Sequence, residues 1–523
     1  MRLTKTSIII TLFILSSVFQ ICQAQNFDHN LDKYWSYRDR LNNDFMIVGT
    51  GPGESLPALI RNLVTKEVAF SDNTIWQGWY MAALALEYHL LTNDYPDYDQ
   101  QRPNALDNTI EELAFAVMAM IRLDKTAENG FYFPSNCDTL GLLQNGFFVR
   151  DDVPSSFESL FPGMDIVRGA HNSSDIFLKE MSQDQAYYVM MGLALVAKFV
   201  PDSLQYNGFS IRQEAITEGK RIAEWIHQDD WIIYSPVCYD TLGQLKEVKR
   251  GSNASLLAKG INDVYKYFTG GTPHFDNDIG FLANLAWPTL SSPTNPAYSN
   301  LENKHMICAI TAVGNAFSDS TFSVLMNLAD ADRWYAFPMI NAIMYDTTGM
   351  RDYASLKPLM NFWADSMMNE APDSFPFCTW PDSNDNGYAS INRFMRTVEE
   401  QYHGKPLNEN RSFNGLDYIT LYNLYYVLNY DRWPRPVSVE KISSSIDVSI
   451  YPNPVHQTIN IILQNNNVST KLKLSDINGK PIEDRYFTGN HYQLNMAPKP
   501  PAGIYFLELQ NDINITTRKI IVR

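Results

Sequence analysis

Two aspartates lie in segments whose composition suits acid–base chemistry. Asp152 ends the run F-F-V-R-D-D at 147–152, where aromatic neighbours would raise the pKa of one carboxyl group while Arg150 lowers the pKa of the other. Asp184 lies in the run M-S-Q-D-Q at 181–185. Hydrolysis of a glycosidic bond requires two carboxyl groups about 5 to 9.5 Å apart. We therefore predict that Asp152 and Asp184 form a catalytic pair and that Arg150 contacts the substrate.

Each aspartate also has a purely structural interpretation. Asp152 would take part in a surface salt bridge where the chain enters a turn at Pro154. Ser182 and Gln185 have the spacing of a helix capping box. Asp184 would then stabilise the positive end of the helix dipole. The sequence leaves both interpretations open.

Histidines supply a second kind of acid–base candidate. His274 precedes Asp276 and Asp278 in the motif H-F-D-N-D, and an imidazole beside two carboxylates suits proton transfer or metal binding. We predict Asp276 as a third catalytic residue, the alternative being a loop with a helix cap inside the same motif. His171 and His403 are candidates for substrate contact in a lyase-type reaction.

Aromatic side chains could stack against sugars, because a flat ring suits the apolar face of a pyranose. Trp76 is one candidate, although its helical spacing with Trp79 and Tyr80 is also typical of a buried core. Trp380 follows Cys378 in a polar segment and is predicted to be the more exposed ring.

One acidic segment resembles half of a calcium-binding loop. The run D-S-N-D-N-G at 382–387 would supply Asp382, Asn384 and Asn386 as ligands of Ca²⁺, the one cofactor that the sequence suggests. The twelfth position, which should be a bidentate glutamate, is Arg393. A hydrophilic turn is the alternative.

Several common catalytic motifs are missing from the sequence. It contains neither G-x-S-x-G nor H-E-x-x-H, which argues against serine hydrolase and zincin chemistry. The glycine-rich run at 49–53 contains Pro52, which lacks an N–H donor, and no Lys-Ser/Thr follows it. We interpret it as a turn that enters a helix at Pro57.

The elements that must position these candidates are predicted to be helices. Some have apolar residues on nearly every side and others on one face only. They are predicted at Ile75–Leu91, Glu111–Leu123, Ala186–Phe199, Ile211–His227, and near 254–268, 278–286, 303–317, 320–334, 336–345, 353–369, 389–402 and 415–429.

Buried helices that alternate with half-exposed ones predict two layers. An inner ring of helices inside an outer ring satisfies this pattern, so the predicted fold of residues 25–436 is an all-α (α/α)-toroid whose loops form a cleft. An open superhelix is the rival fold, but it should show a repeat of about 30 to 50 residues, and no such repeat occurs.

The last residues follow a different pattern. Apolar residues alternate with polar ones in short runs near Ile459, Leu472 and Leu507, with turn-forming pairs such as Asn478-Gly479 between them. This period of two predicts about seven strands in a small all-β, Ig-like sandwich over 449–523.

Residues 449–523 resemble the type A C-terminal sorting domain of the type IX secretion system. The resemblance includes Y-P-N-P, L-S-D-I-N-G-K, P-A-G-I-Y-F-L-E-L and a final T-R-K-I-I-V-R. The sorting-motif residues are Tyr451, Pro452, Asn453, Pro454, Gly479, Gly503 and Tyr505. The family implies a Bacteroidota-type bacterium, passage across the outer membrane and the type IX machinery as a partner. An ordinary binding sandwich is the alternative.

The opposite end and the charge are consistent with export. A basic start followed by an apolar run predicts a signal peptide at 1–24, and 437–448 is predicted to be a linker. No later run reaches 18 apolar residues, so no membrane span is predicted. The formal net charge of −17 argues against nucleic acid as a partner.

The predicted body also resembles secreted toroidal proteins, which include glycoside hydrolases and polysaccharide lyases. This resemblance implies a polysaccharide or glycan partner and does not assign individual residues. We therefore expect an exported, carbohydrate-active hydrolase that works with two carboxylates. The alternative is a non-catalytic, glycan-binding or adhesion protein of the cell surface.

Overall fold

The helices and sheets below come from a computed structural model of the chain. It divides into two units, residues 1–432 and 433–523, which we call the body and the tail. The body is described at 29–62, 64–70, 72–93, 102–127, 144–168, 181–228, 230–234, 251–253, 258–275, 301–314, 325–326, 329, 334–345, 353–371 and 411–429. The tail is described at 448–451, 455, 458–463, 469–476, 480–496, 500–501, 503–510 and 515–522.

Helices dominate the described body. The first, α1, covers 29–40 and continues into a π-helical turn at Leu41–Phe45. The others are α2 (Asn73–Thr92), α3 (Ala105–Thr126), α4 (Gln183–Phe199), α5 (Ile211–Gln228), α6 (Ala258–Thr269), α7 (Leu301–Val313), α8 (Ala336–Tyr345), α9 (Tyr353–Glu370) and α10 (Leu416–Leu428).

Helices α2 and α4 form the centre of the body. Nearly every residue of both is buried, as expected for helices that are apolar on all sides. Their backbones touch where Gly78 meets Gly192. A Cβ atom on Gly78 would lie 2.2 Å from the carbonyl oxygen of Tyr188, and one on Gly192 would lie 2.3 Å from the carbonyl oxygen of Gly78. Only glycine permits so close an approach.

The all-α prediction for the body is wrong, and with it the all-α toroid. A four-stranded sheet contains β1 (Ile60–Asn62), β2 (Glu67–Ala69), β3 (Asp165–Val167) and β8 (Arg411–Phe413). Two two-stranded sheets add β4 (Gln205–Tyr206) with β5 (Phe209–Ser210), and β6 (Ile232–Tyr234) with β7 (Gly251–Asn253). These strands have two or three residues each, too few to show an alternation with period two.

The four-stranded sheet also explains why no helix begins at Pro57. After the turn at 51–55 the chain is extended and enters β1, which pairs antiparallel with both β2 and β8. Because β8 comes from the far end of the body sequence, this sheet joins segments about 350 residues apart. Such long-range pairing leaves no local signal near Pro57.

The tail consists of strands in two sheets. One sheet has the order β13 (His491–Asn495), β10 (Thr458–Leu463), β9 (Val448–Tyr451). The other has the order β12 (Pro481–Phe487), β11 (Thr470–Asp476), β14 (Gly503–Gln510), β15 (Ile515–Val522). Every second residue of β10 is buried, and these side chains share one core with Leu472, Leu474, Leu507 and Leu509.

The contact between α2 and α4 gives a stability prediction. Gly192→Ala should lower the free energy of unfolding of the body by about 1–3 kcal/mol, because its methyl group overlaps the backbone of Gly78. Urea denaturation followed by tryptophan fluorescence measures this, since no tryptophan occurs in 449–523 and the signal comes from the rest of the chain.

The control is Thr217→Ala on the exposed face of α5, which should change the free energy of unfolding by less than about 0.5 kcal/mol. Helix propensity alone predicts that Gly192→Ala stabilises the protein by about 1 kcal/mol. A measured gain of that kind would contradict the close approach of the two helices.

Candidate functional site

Asp152, one of the predicted catalytic pair, is held in a buried ion pair. Its Oδ2 atom accepts a hydrogen bond from Arg122 Nε at 2.5 Å, and its Oδ1 atom accepts one from the Gly53 amide at 2.9 Å. Arg122 also donates to the carbonyl oxygens of Thr50 and Glu54. The aspartate and arginine together fix the glycine-rich turn to α3, so both carboxylate oxygens of Asp152 are already engaged.

Arg150 and Asp184 meet at the N-terminal end of α4. Arg150 Nη1 donates to Asp72 Oδ1 at 2.6 Å, and its Nη2 lies 3.5 Å from the Ser182 hydroxyl. That hydroxyl donates to Asp184 Oδ1. Gln185 donates to Asp72 at 3.2 Å. The helix begins where the sequence predicts, but Ser182 and Gln185 bond to these neighbours instead of forming the predicted capping box.

Two further candidates from the sequence, Trp76 and His274, lie within the described residues. Trp76 is 1% exposed, so its ring has no free face for a sugar. His274 is exposed, and the next residue, Phe275, stacks on His227 with ring centroids 4.0 Å apart. The predicted residues that lie outside the described ranges are Asp276, His171, Trp380, His403, Asp382, Asn384 and Asn386.

The sorting-motif residues can be placed in part. Tyr451 ends β9 and Gly503 begins β14. Tyr505 is buried in the tail core and its hydroxyl donates to the carbonyl oxygen of Pro501 at 2.7 Å. Pro452, Asn453, Pro454 and Gly479 lie outside the described residues.

A buried carboxyl pair, which the sequence analysis missed, lies between α3 and α5. Asp124 and Glu218 have no exposed surface. Asp124 accepts backbone hydrogen bonds from Asn145 and Gly146 at 3.2 and 3.1 Å. Glu218 accepts a side-chain hydrogen bond from Arg221 Nη1 at 2.8 Å. Burial raises the pKa of Asp124 to about 6, and burial together with the charge of Asp124 raises the pKa of Glu218.

The pattern of α5 contained a signal for this pair. Ile211, Ala215 and Ile222 form its apolar face, and position 218 completes that stripe at helical spacing. Its charge alone would assign Glu218 to the polar face of the helix. The two acids are enclosed by protein on every side, so they suit a shared proton better than contact with a substrate.

An open cleft lies at the opposite end of α4, between α5 and the end of α6. Its volume is about 470 Å³, within the range of small-molecule sites. Ala197, Ile216 and Phe268 provide apolar surface, and Gly270 and Thr272 lie at its exposed rim. We call this space the α5–α6 cleft. Its lining residue Ala197 lies 13 residues after Asp184 on α4, roughly 20 Å away along the helix axis.

Some polar groups of the α5–α6 cleft form hydrogen bonds or ion pairs with the described part of the chain, and others do not. Arg212 donates to the carbonyl oxygen of Ala197 at 2.8 Å and to Asp202 at 2.5 Å, and Gln213 also donates to Asp202. For Lys220 and for the Tyr267 hydroxyl, no hydrogen bond or ion pair occurs with the described part of the chain. Both side chains line the cleft and are half-buried.

The phenol of Tyr267 is held in its protonated form. Burial raises its pKa to about 12, and the nearby Arg212 charge offsets only part of that effect. A tyrosine phenol is already a hydrogen-bond donor at neutral pH, and the raised pKa extends this role to higher pH. No short motif marks Arg212, Lys220 or Tyr267 in the sequence. Their convergence depends on how α5 packs against α6.

The described residues do not bring together three or more His, Cys, Asp or Glu side chains in a way that could hold a metal ion. Within the same residues, none of the helices has both the length and the apolar character needed to cross a bilayer.

Comparison with known proteins identifies the tail. Residues 449–523 match the family model of the secretion system C-terminal sorting domain, which confirms the predicted type IX sorting domain. The match indicates export to the cell surface or secretion and interaction with the type IX secretion machinery. It covers 75 of 523 residues, so it does not describe the body. No curated protein matches the chain.

The buried carboxyl pair predicts a pH-dependent stability. The unfolded chain releases the Asp124 proton near pH 3.8, whereas the folded body keeps it to about pH 6. The free energy of unfolding should therefore fall as pH rises from about 4 to 6, by roughly 2–3 kcal/mol for this group, and continue to fall while Glu218 ionises. Glu218→Gln should remove much of this slope in urea denaturation curves.

Glu214→Gln is the matched control, because Glu214 lies on the same helix and is half-exposed. It should leave the pH slope unchanged. Equal slopes for the natural protein and for Glu218→Gln would show that the pair does not share a proton in the folded body.

Proposed function

We propose that the chain is a surface-associated or secreted protein of a Bacteroidota-type bacterium, and that its body binds a saccharide in the α5–α6 cleft without cleaving it. Export is indicated by the sorting tail. The observation that supports binding is an open cleft that combines apolar surface, an aromatic ring and uncommitted polar groups.

Sugar recognition requires two kinds of contact, and the α5–α6 cleft offers both. Apolar C–H faces of a pyranose pack against rings and aliphatic side chains, here Tyr267, Phe268 and Ile216. Hydroxyl groups need donors and acceptors at the sides. Lys220 and the Tyr267 hydroxyl can donate, and the side-chain oxygen atoms of Gln213 and Thr269 can accept. A few polar groups on an apolar surface are typical of small-ligand sites.

The absence of carboxylates from the described lining of the cleft favours binding over hydrolysis. Glycoside hydrolysis requires an acid and a base or nucleophile, usually both Asp or Glu. Asp202, the acid that bonds to the cleft residues Arg212 and Gln213, is already engaged by both of them. The described residues would therefore offer a sugar in the cleft no available pair of carboxylates beside its glycosidic bond.

A hydrolase that uses Asp152 and Asp184, with Asp276 as a third acid, is the second candidate. It is favoured by the convergence of Arg150, Ser182 and Asp184 at the start of α4. Its weakness is that Asp152 is engaged by Arg122 and Gly53. Removing this carboxylate from its ion pair would be necessary before it could act as an acid or a base.

A panel of oligosaccharides tests the two functions together. The full chain should bind at least one of them in calorimetry and release no reducing ends or unsaturated products. Tyr267→Ala should weaken that binding about tenfold or more, which corresponds to about 1.4 kcal/mol from the lost ring and hydroxyl contacts.

Tyr486→Ala is the matched control, because Tyr486 is 68% exposed on the tail. It should bind like the natural protein. Product release that disappears in Asp184→Asn while Tyr267→Ala remains fully active would contradict the binding proposal and support the hydrolase.

A further inference from the structure

We propose that the α5–α6 cleft selects an anionic saccharide, whose carboxylate or sulfate group pairs with the ammonium group of Lys220 and accepts a hydrogen bond from the hydroxyl group of Tyr267. This inference rests on the proposed function, because it assigns the ligand class of the same cleft. Both residues line the cleft, which therefore offers a cation and a hydrogen-bond donor to one ligand.

The charge balance of the cleft supports an anion. The chain has a formal net charge of −17, so a site for anions needs local cations that are not already neutralised. Arg212 has a carboxylate partner in Asp202, at 2.5 Å. Lys220 has none among the described residues, and the described lining of the cleft contains no Asp or Glu.

The partial burial of Lys220 strengthens this argument. A charged group that loses part of its hydration is stabilised when an opposite charge restores the lost interactions. Lys220 is half-buried beside Ile216 and Phe268, which cannot provide them. A bound anion would provide them. A neutral sugar hydroxyl would do so less well, because it accepts a hydrogen bond from the ammonium group but has no opposite charge to attract it.

Tyr267 adds a directional hydrogen bond to the contact between Lys220 and the anionic group. Its phenol is protonated at neutral pH, as in any tyrosine, so the group donates a hydrogen bond and does not repel an anion. Arg212 is fixed by the Ala197 carbonyl oxygen and Asp202, so it forms a wall of the cleft. The long side chain of Lys220 can adjust to the position of the anionic group.

Calorimetry with matched oligosaccharides tests the inference on the full chain. The probes are a trimer of galacturonate, a trimer of galactose and a sulfated galactose trimer, each at low and high salt. We expect at least one anionic trimer to bind about tenfold more tightly than the neutral trimer, and this preference to shrink at high salt. The two anionic probes distinguish a carboxylate from a sulfate.

Lys220→Gln should reduce the affinity for the preferred anionic trimer about tenfold and the affinity for the neutral trimer by much less. Lys220→Arg should retain most of the preference. Lys125→Gln, which removes an exposed lysine from the end of α3, is the control and should bind like the natural protein. Tryptophan fluorescence during thermal unfolding verifies that each variant is folded.

Equal affinity for the neutral and anionic trimers, or an equal effect of Lys220→Gln on both, would overturn the anionic selection while the saccharide-binding proposal stands. If none of the trimers binds to the natural protein, both the inference and the proposed function fail. Tyr267→Ala separates saccharide binding from anion selection. If this variant binds the neutral trimer more weakly than the natural protein does, the cleft binds saccharides whether or not it selects anions.

Discussion

The backbone contact between Gly78 and Gly192 is the constraint on which the body depends. Two long helices, buried over nearly all of their length, can pack this closely only if neither has a side chain at the crossing point. Each then has neighbours on its remaining sides: α2 contacts α3 and α10, while α4 contacts α5 and α7. The central pair thereby sets where the other helices lie.

Charged groups close to this centre are engaged with one another. Arg38 on α1 bonds to Glu87 at 2.8 Å and to Glu112 at 2.9 Å, and all three are buried. Burial lowers the pKa of Arg38, but the charges of Glu112 and Glu87 raise it further than burial lowers it. Removing Arg38 would leave two buried carboxylates without their cation. Such groups position helices and have little capacity left for a ligand.

Helices of strong periodicity could be predicted from the sequence, and short strands could not. α8 begins and ends where its apolar run predicts, at Ala336–Tyr345. Strands β1 and β8 pair across most of the chain, so local patterns do not contain that information. The tail could be predicted for two reasons: its alternation with period two is long, and its family motifs are specific.

The candidate site was harder to predict for the same physical reason. Asp152 follows two aromatic residues and Arg150 in the sequence, but the arginine that engages it is Arg122, from another segment. No sequence motif marks Lys220 or Tyr267. A binding cleft depends on side chains whose polar groups are still available for hydrogen bonds or ion pairs after the chain has folded. Engagement of this kind follows from packing between helices and is not encoded in spacing along one helix.

The two ends of α4 are therefore the alternative ligand sites of the body. Hydrogen–deuterium exchange of the full chain, with and without a saturating oligosaccharide, decides between them most directly. Amides at 212–220 and 266–273, around the α5–α6 cleft, should gain protection when the ligand binds. Protection confined to 150–152 and 183–185, around Asp152 and Asp184, would contradict binding in the α5–α6 cleft.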